Sequence, residues 1–332
     1  MAIFKKIENL KEWQELLDKA LFQTFFHCLE WETFLEQNFK WLKFERYLWN
    51  GQVLLSLARY ELGKQEKLIS HPFCEYGGPL PLAQNLNGNE FTKDLFDFFK
   101  LPVKISLHPA ILNYFNDLPA KESRRSAFWL EGFSNTSKEQ AWHNLRKTTR
   151  HEIQNAKEKG YKIVVCKTKI ELVDFYKIYL ATAKVHMVPA YPFAFFENWL
   201  ANSQAEIILA KKNNRIVAGS VFLKYHGFLH YFLNASKKSQ TNGANHLLLW
   251  TAIEKNVASN FTTFDLGGTK KGSALSIFKQ GFGNVDKPIM ELTNYPDRYG
   301  IKSRFSLGRR VWGTLPIFVI KFLSPRLLRY KL

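Results

Sequence analysis

The stretch KYHGFLHYFLNASKKSQTNGANHLLLWTAIEKNVASNFTTFDLGGTKKGSALSIFKQGFG, from Lys224 to Gly283, decides the fold of this chain. Two segments rich in Val, Phe, Leu and Tyr, residues 217–225 and 228–235, flank a His226-Gly227 turn. This pattern predicts a β-hairpin. From residue 244 to residue 257 the apolar side chains recur every three to four positions, which predicts a helix with one buried face.

A short strand and a glycine pair follow that helix. The sequence predicts a strand from Phe261 to Leu266 that stops at Gly267-Gly268. Strand and helix patterns also alternate upstream, with one long basic helix expected over 141–159 and a C-cap glycine at Gly160. The consistent architecture is an α/β (α+β) fold, in which helices flank a mixed, mostly antiparallel sheet.

Length and composition indicate a large folded core. The chain has 332 residues, of which 46% are hydrophobic and 15% aromatic, so intrinsic disorder is excluded as a class. A chain of this length favours two compact units. We expect an N-terminal domain over 1–140, a C-terminal domain over 141–300, and a basic, amphipathic tail over 301–332.

Two motifs of the second half are typical of one enzyme family. The run FDLGG, Phe264 to Gly268, followed by SIFKQGFG, Ser276 to Gly283, resembles the C-terminal half of the FemAB-like acyltransferases, which are relatives of the GNAT N-acetyltransferase fold. TTRHEIQNAKEKGYKI, Thr148 to Ile163, and HPFCEYGGPL, His71 to Leu80, are similar to other segments of that family. The resemblance extends over residues 20–292 and implies two GNAT-like half-domains that catalyse acyl transfer.

Acyl transfer to an amine needs a held donor, a group that stabilises the oxyanion, and a route for the proton of the nucleophile. In the family that this chain resembles, a Phe-Lys pair lies beside the reacting centre and the lysine stabilises the oxyanion. The matching residues are Phe278 and Lys279. Asp265 is the third catalytic candidate, because it precedes the glycine pair at a strand end. The alternatives are a surface lysine beside a core phenylalanine and an aspartate that only caps a turn.

The turn before the 244–257 helix is a candidate site for coenzyme A. Gln240 and Gly243 fit the GNAT signature Q-x-x-G-x-G/A, whose amides hold a pyrophosphate at a helix N-terminus. Asn245 stands where Gly or Ala is expected, and Asn234, in the preceding strand, completes the expected cofactor set. A plain polar turn explains the same residues equally well.

The candidates for binding the acceptor substrate are Tyr191, His108, Arg150, Gly267 and Gly268. Tyr191 falls in the loop that lines the acceptor cleft of the family. His108 follows a predicted strand and could act as a base near neutral pH, although a lone histidine is often structural. Arg150 belongs to a basic helix face that meets either phosphate or solvent, and the glycines let backbone approach a ligand closely.

Two departures from the family pattern concern the acceptor. The cross-bridge enzymes tend to have a lysine for a substrate phosphate where this chain has Thr33, and an arginine where it has Tyr191. Both departures disfavour a UDP-muramyl-peptide or lipid II acceptor, and they leave the fold expectation unchanged.

The cysteines and the N-terminus bear on compartment and metal content. Cys28, Cys74 and Cys166 are far apart and lack ligand spacing, so we expect neither a disulfide framework nor a metal site. The N-terminal segment has charges where a signal peptide needs an apolar core, and no apolar run reaches the length of a membrane span. A cytoplasmic location is the expectation.

Positive charge is concentrated at the C-terminus. The net charge is +18, and residues 301–332 contribute eight Lys and Arg and no acid. The apolar run Val311 to Leu323 lies between these cations and suits an anionic membrane surface at the inner face, although docking on the protein's own body is equally compatible. We therefore expect residues 303–332 to bind either the membrane or the rest of the chain.

The expected function is transfer of an acyl group, with acetyl as the expected group, from acyl-CoA to an amine of a cell-envelope sugar or glycan precursor. One alternative is an aminoacyl-tRNA-dependent aminoacyltransferase that acts on a peptidoglycan precursor. The other is a non-catalytic module that binds glycan or nucleic acid. The partial Q-x-x-G turn favours acyl-CoA, whereas the positive charge is compatible with tRNA. The sequence indicates no oligomeric state.

Overall fold

The structure, a computed structural model, describes residues 3–62, 65–237, 243–295 and 311–331. The N-terminal half begins with a strand and a helix, whose N-cap Asn9 accepts the backbone N–H of Lys11 at 2.8 Å. Trp13 and Leu17 of this helix are buried against the sheet. The elements of this half are β1 (Phe4–Lys6), α1 (Leu10–Leu17), α2 (Leu29–Asn38), β2 (Leu42–Trp49), β3 (Val53–Leu62), β4 (Gln65–Ser70), β5 (Leu80–Pro81), β6 (Leu86–Asn87), α3 (Gly88–Phe98), β7 (Val103–Leu107), β8 (Phe115–Asn116) and β9 (Lys121–Glu131).

The C-terminal half contains most of the helices. Its first helix starts with a capping box, in which Ser137 and Gln140 satisfy each other's backbone N–H groups. The elements are α4 (Lys138–Asn144), α5 (Lys147–Glu158), β10 (Lys162–Val165), α6 (Lys169–Val185), α7 (Phe193–Ala201), β11 (Ala205–Lys212), β12 (Arg215–Tyr225), β13 (Phe228–Ser236), α8 (Ala244–Asn256), β14 (Thr263–Lys270), α9 (Ala274–Gln280), β15 (Val285–Thr293) and α10 (Ile317–Leu327).

One long sheet runs through both halves. Its strand order is β1-β2-β3-β4-β7-β15-β9-β14-β13-β12-β11-β10, with β5 paired to β3. The pairs β4–β7 and β13–β14 are parallel, and the other described pairs of this sheet are antiparallel. The expected α/β fold with a mixed, mostly antiparallel sheet is therefore confirmed. The division at residue 140 stays a prediction, and β15 lies between β7 and β9 of the N-terminal half.

The two halves also share an apolar core. Trp31 of α2 stacks on Trp199 of α7, with ring centroids 6.5 Å apart, and both rings are buried. Phe175 of α6 and Phe39 belong to the same cluster. Burial of such large side chains stabilises each by about 2 kcal/mol or more. The relative position of the halves is thus fixed by packing as well as by the sheet.

The strand that contains the glycine pair is longer than the sequence predicts. β14 does not stop at Gly267-Gly268 but continues to Lys270, with Gly268 paired to Ala127 of β9. The pairing shifts register between Asp265 and Gly268, and Gly267 has φ +76°. The glycine therefore makes a β-bulge in a continuing strand, since a left-handed residue can be accommodated there without ending the ladder.

The basic helix expected over 141–159 is also two helices. α4 ends at Asn144, and Leu145 and Arg146 have extended backbone before α5 begins. The N–H of Arg146 donates to the carbonyl of Gly281 at 2.9 Å, so a tertiary contact takes the place of a helical bond. Gly160 has φ +74° just beyond α5, as expected for a helix C-cap.

Candidate active site

A cleft of about 660 Å³ opens between the two halves. Its walls come from the loop after β4, from β7, β9 and β15, from the end of β13, and from the loop 186–191. Two of the cations that line it are paired with acids, Lys104 with Glu291 and Arg125 with Glu75, each at 3.1 Å. A volume of this size accommodates a substrate with several functional groups.

The parallel strands β13 and β14 separate beside this cleft. They pair only over Phe228–His230 and Thr263–Asp265. Beyond that point Glu75, from the loop after β4, accepts the N–H of Gly268. Nη2 of Arg125 donates to Glu75 Oε1 and to the Gly268 carbonyl, both at 3.1 Å. A backbone amide and a guanidinium thus hold a carboxylate at the wall of the cleft.

Lys279 lies beneath the same glycine pair. Its side chain is 4% exposed, and Nζ donates to the carbonyl of Gly267 at 2.9 Å. The carbonyl of Gly267 and the N–H of Gly268 belong to one peptide unit. This unit connects the ammonium to the Glu75 carboxylate, and each hydrogen bond polarises the other. Burial lowers the pKa of Lys279 below 10.5, against the opposing effect of Glu75 and Asp265.

Helix α9 places Lys279 and Phe278 on different sides. Ser273 caps the helix by accepting a backbone N–H at 3.2 Å. Phe278 packs on His246 and Phe282, with ring centroids 4.8 and 5.4 Å away, and belongs to the edge of the C-terminal core. Neither Phe278 nor Lys279 is among the described residues that line the cleft. Lys279 therefore acts on the cleft through the Gly267-Gly268 peptide and through its charge interaction with Glu75.

Asp265 holds the β-bulge in shape from the buried side of β14. It is 1% exposed, and its Oδ1 accepts the N–H of Gly267 at 2.7 Å. Its Oδ2 shares a hydrogen bond of 2.9 Å with Nδ1 of His230 on β13. Burial raises the pKa of Asp265 well above 3.8, and the charge of Glu75 adds to this effect. Burial lowers the pKa of His230 to about 4, so its imidazole is neutral at pH 7.

A second, small cavity lies next to Asp265. Its volume of about 10 Å³ is close to what one water molecule requires. Tyr76, His108 and His230 contribute to its lining. His108 is 1% exposed, its Nδ1 accepts the N–H of Ala110 at 3.2 Å, and burial lowers its pKa well below 6.5. The structure places His108 at this internal cavity and not at the large cleft.

The other two side chains expected to bind the acceptor lie apart from each other. Tyr191 lines the cleft, where its hydroxyl donates to the carbonyl of Phe73 at 3.3 Å and its ring stacks on Phe195 at 5.0 Å. Arg150 is outside the cleft lining, and its Nη1 donates to the carbonyl of His143 at the end of α4, at 3.0 Å. Tyr191 is a rigid part of the wall, whereas Arg150 braces the junction between α4 and α5.

The expected cofactor residues are engaged within the protein. Gly243 begins α8 with φ +79° and packs directly against the carbonyl of Glu152 on α5. Asn234 donates to Asn245 at 3.3 Å and to Ser220 at 3.0 Å, which ties β13 to α8 and β12. Asn234 also lines the cleft. Gln240 lies outside the described residues.

Three residues of this site, Glu75, Arg125 and His230, were not predicted from the sequence. Glu75 is the one acid within the segment His71 to Leu80, which was a usable signal. Arg125 and His230 gave no such signal, because a cation in a polar stretch and a histidine in an apolar strand are common. Their roles depend on contacts with β14, which only the assembled sheet creates.

The described residues show neither a metal centre nor a disulfide. Residues 3–62, 65–237, 243–295 and 311–331 contain no cluster of three His, Cys, Asp or Glu side chains arranged to hold a metal ion. Cys28, Cys74 and Cys166 carry free thiols. Within the same ranges, no helix has both the length and the apolar character needed to cross a membrane.

Comparisons with known proteins bear on the family and the fold of this chain. The profile of the acetyltransferase (GNAT) domain family matches residues 143–279, which include α5, β13, α8, β14 and Lys279. The UDP-N-acetylmuramoylpentapeptide-lysine N(6)-alanyltransferase of Weissella viridescens is 24% identical over 156 residues. That match covers 42% of this chain and 46% of the relative, so the chain is matched to less than half of the relative's length.

Solved structures share the whole architecture. A crystal structure of FemX superposes with a TM-score of 0.63 at 12% identity, covering 92% of this chain and all of the other. The C-terminal domain of a putative lysylphosphatidylglycerol synthetase from Agrobacterium fabrum superposes with a TM-score of 0.56 at 11% identity, covering 92% and 96%. At these identities the superpositions establish the fold alone. With the domain match and the FDLGG and FK motifs on β14 and α9, these comparisons support an acyltransferase of the FemAB-like, GNAT type.

Proposed function

We propose that this chain transfers an aminoacyl group from an aminoacyl-tRNA to a primary amine of a peptidoglycan precursor, by direct attack in a ternary complex. The observation that carries the proposal is the Lys279–Gly267–Gly268–Glu75 chain of hydrogen bonds at the cleft wall. The alanyltransferase of Weissella viridescens, whose name specifies alanyl transfer to the lysine of a UDP-N-acetylmuramoylpentapeptide, supports the aminoacyl group and the acceptor class. The net charge of +18 is compatible with a tRNA.

The reaction needs charge stabilisation and proton removal at one place. The amine attacks the ester carbonyl of the donor, the C–N bond forms, negative charge develops on the carbonyl oxygen, and the C–O bond to the tRNA then breaks. Lys279 directs positive potential to the cleft through the Gly267-Gly268 peptide, which is worth a few kcal/mol in a dry site. Glu75 lines the cleft and is the group that accepts the proton of the amine and returns it to the ribose oxygen of the departing tRNA. Asp265 and His230 hold the bulge in shape.

Acetyl transfer from acetyl-CoA is the second candidate, because residues 143–279 match an acetyltransferase domain. Where the parallel strands β13 and β14 separate, their backbone groups no longer pair with each other and could hold an extended, amide-containing cofactor. Here Glu75 already accepts the N–H of Gly268, and Arg125 donates to the carbonyl of Gly268. Lys279 donates to the carbonyl of Gly267. Gly243 is packed against α5. Because these backbone groups are already occupied, we favour the aminoacyl donor over acyl-CoA, which the sequence favoured.

The cellular location of the reaction and the division of the chain into domains are part of the same proposal. Charged tRNA is used in the cytoplasm, so we place the reaction there. Residues 1–140 and 141–300 are proposed as the two half-domains, with Tyr191 and Asn234 lining the cleft between them and Glu75 held at its wall by Gly268. The acceptor, as an amine-bearing cell-envelope precursor, enters the same cleft.

A parallel transfer assay tests the donor. The purified chain is incubated with UDP-N-acetylmuramoylpentapeptide and either alanyl-tRNA or acetyl-CoA, and the acceptor is analysed by mass spectrometry. We expect a mass gain of one alanyl group from alanyl-tRNA, which disappears after ribonuclease treatment. An acetyl gain alone would support the second candidate and reject the aminoacyl donor. Thermal shifts with tRNA or coenzyme A, but transfer from neither donor, would support the non-catalytic alternative.

A further inference from the structure

Helix α10 has one face docked on the body of the protein. Ile320 and Ser324 are buried at 0% and 1% exposure, and Leu328 follows on the same side. Ser324 Oγ accepts the N–H of Ala190 at 2.9 Å. In the short helical segment 311–314 that precedes α10, Trp312 Nε1 donates to the carbonyl of Val188 at 3.2 Å. These contacts fix the helix on the loop 186–191, so its orientation is set.

The opposite face of α10 is apolar and exposed. Phe318 and Phe322 are 74% and 66% exposed. They are four residues apart and therefore lie side by side, about half a turn around the helix from Ile320 and Ser324. Two phenylalanine rings in water on one helix face form a contiguous apolar patch, which single exposed apolar residues do not.

Cations border this aromatic pair. Lys321 and Arg326 lie on either side of it and are exposed, and Arg329 follows at the end of the helix. Arg326 stacks over the ring of Phe322 at 4.7 Å. None of these three cations is in a salt bridge with a carboxylate of the described residues, and residues 311–331 contain no acid. Aromatic side chains flanked by unpaired cations on one face are typical of helices that lie in the membrane interface.

We propose that α10 docks on the surface of an anionic phospholipid membrane, with Phe318 and Phe322 inserted among the lipids. Lys321, Arg326 and Arg329 then meet the phosphate headgroups. The helix spans 11 residues, Ile317 to Leu327, and is too short to cross a bilayer. It therefore lies along the surface, while its other face stays on the protein.

Docking in this way brings the membrane to the mouth of the cleft. Val188 and Pro189, on the loop that α10 braces, line the cleft, and so does Tyr330 just after α10. A membrane-bound amine can then enter without leaving the bilayer surface. This inference does not depend on which acyl donor the cleft uses.

Vesicle flotation of the full-length protein tests the proposal. We compare vesicles of phosphatidylcholine alone with vesicles that also contain phosphatidylglycerol. The wild type should float with the anionic vesicles, and Phe318→Ser/Phe322→Ser and Lys321→Glu/Arg326→Glu should each reduce the bound fraction about 10-fold or more. The matched control is Ile170→Ser, because Ile170 is 78% exposed in the first turn of α6, at the end opposite to the loop 186–191 that α10 contacts. This control should bind as the wild type does.

Three results would overturn the proposal, each obtained with protein shown to be folded. Circular dichroism and sedimentation velocity of each variant accompany the flotation. The proposal is overturned if folded wild-type protein stays with the unbound fraction, or if the phenylalanine variant floats as well as the wild type. It is also overturned if the wild type is a dimer that Phe318→Ser/Phe322→Ser dissociates without any vesicle binding, since the aromatic face then packs on a second copy.

Discussion

Glu75 of the N-terminal half contacts the glycine pair of the C-terminal half. It accepts the N–H of Gly268, from which it is separated by 193 residues in sequence, and it lines the cleft. No local pattern predicts such a contact. The carboxylate is therefore a component of the site that only the folded chain assembles.

Glu75→Gln should remove the proposed base and keep the hydrogen bond that holds the side chain on Gly268. The glutamine carbonyl can still accept the N–H of Gly268, but it cannot take a proton. We expect kcat for amine transfer to fall about 10²–10⁴-fold with little change in Tm. Glu122→Gln, which affects an exposed acid paired to Lys271, is the matched control and should retain activity. Full activity of Glu75→Gln would exclude Glu75 as the proton acceptor.

Buried histidines should make the fold sensitive to acid. Burial lowers the pKa of His27 from 6.5 to about 4, and its Nδ1 accepts the N–H of Thr24 at 3.0 Å. Its neutral form stabilises the fold above pH 6.5, and this contribution of about 3 kcal/mol is lost as the pH falls from 6.5 to about 4.

His27→Asn keeps an acceptor for Thr24 and removes the titration. The free energy of unfolding, measured with urea across this pH range, should decline less steeply in the variant than in the wild type. His143→Asn changes an exposed histidine and should leave the slope unchanged. Parallel curves for wild type and His27→Asn would show that His27 does not titrate as described.

At the scale of elements, local periodicity predicted much of the fold. The β12–β13 hairpin and α8 lie within one or two residues of their predicted bounds, because each depends on nearby residues alone. The continuation of β14 past Gly267 was missed, since a bulge depends on pairing with β9. The break between α4 and α5 was missed for a similar reason, because Arg146 bonds to Gly281 from a distant segment.

The packing of α8 on α5 gives a prediction at this scale. A Cβ at Gly243 would collide with the carbonyl of Glu152, and φ there is +79°. Gly243→Ala should cost about 1–2 kcal/mol for the left-handed backbone and about 1–3 kcal/mol more for the collision. Gly160→Ala has a similar φ of +74° and open space around it, so it should show only the first cost. Equal losses in denaturant unfolding would mean that α5 and α8 are not in contact.

At the scale of the whole molecule, the halves are joined by more than a linker. β15 pairs with both β7 and β9, and one apolar cluster includes α2 of the first half and α6 and α7 of the second. Sequence analysis could suggest two domains from length and motifs. It could not place β15 inside the N-terminal sheet, because strand order depends on long-range pairing.

This connectivity predicts a single unfolding transition. In calorimetry, the calorimetric and van't Hoff enthalpies should agree, because β9 pairs with both β14 and β15 and so joins the strands of the two halves in one sheet. Leu95→Ala in α3 and Leu248→Ala in α8 remove buried side chains in different halves, and each should lower the Tm of the same transition. Two resolved transitions, each shifted by only one of these variants, would contradict the shared fold.

The rate of transfer by Lys279→Met tests the account most directly. The side chain of Met fills similar space but has no charge to polarise the Gly267-Gly268 peptide. With the best donor of the parallel assay, kcat should fall about 10²–10³-fold in the folded variant. Lys271→Met, at an exposed lysine eight positions earlier, should transfer at the wild-type rate. Wild-type transfer by folded Lys279→Met would contradict the proposed chemistry of this cleft.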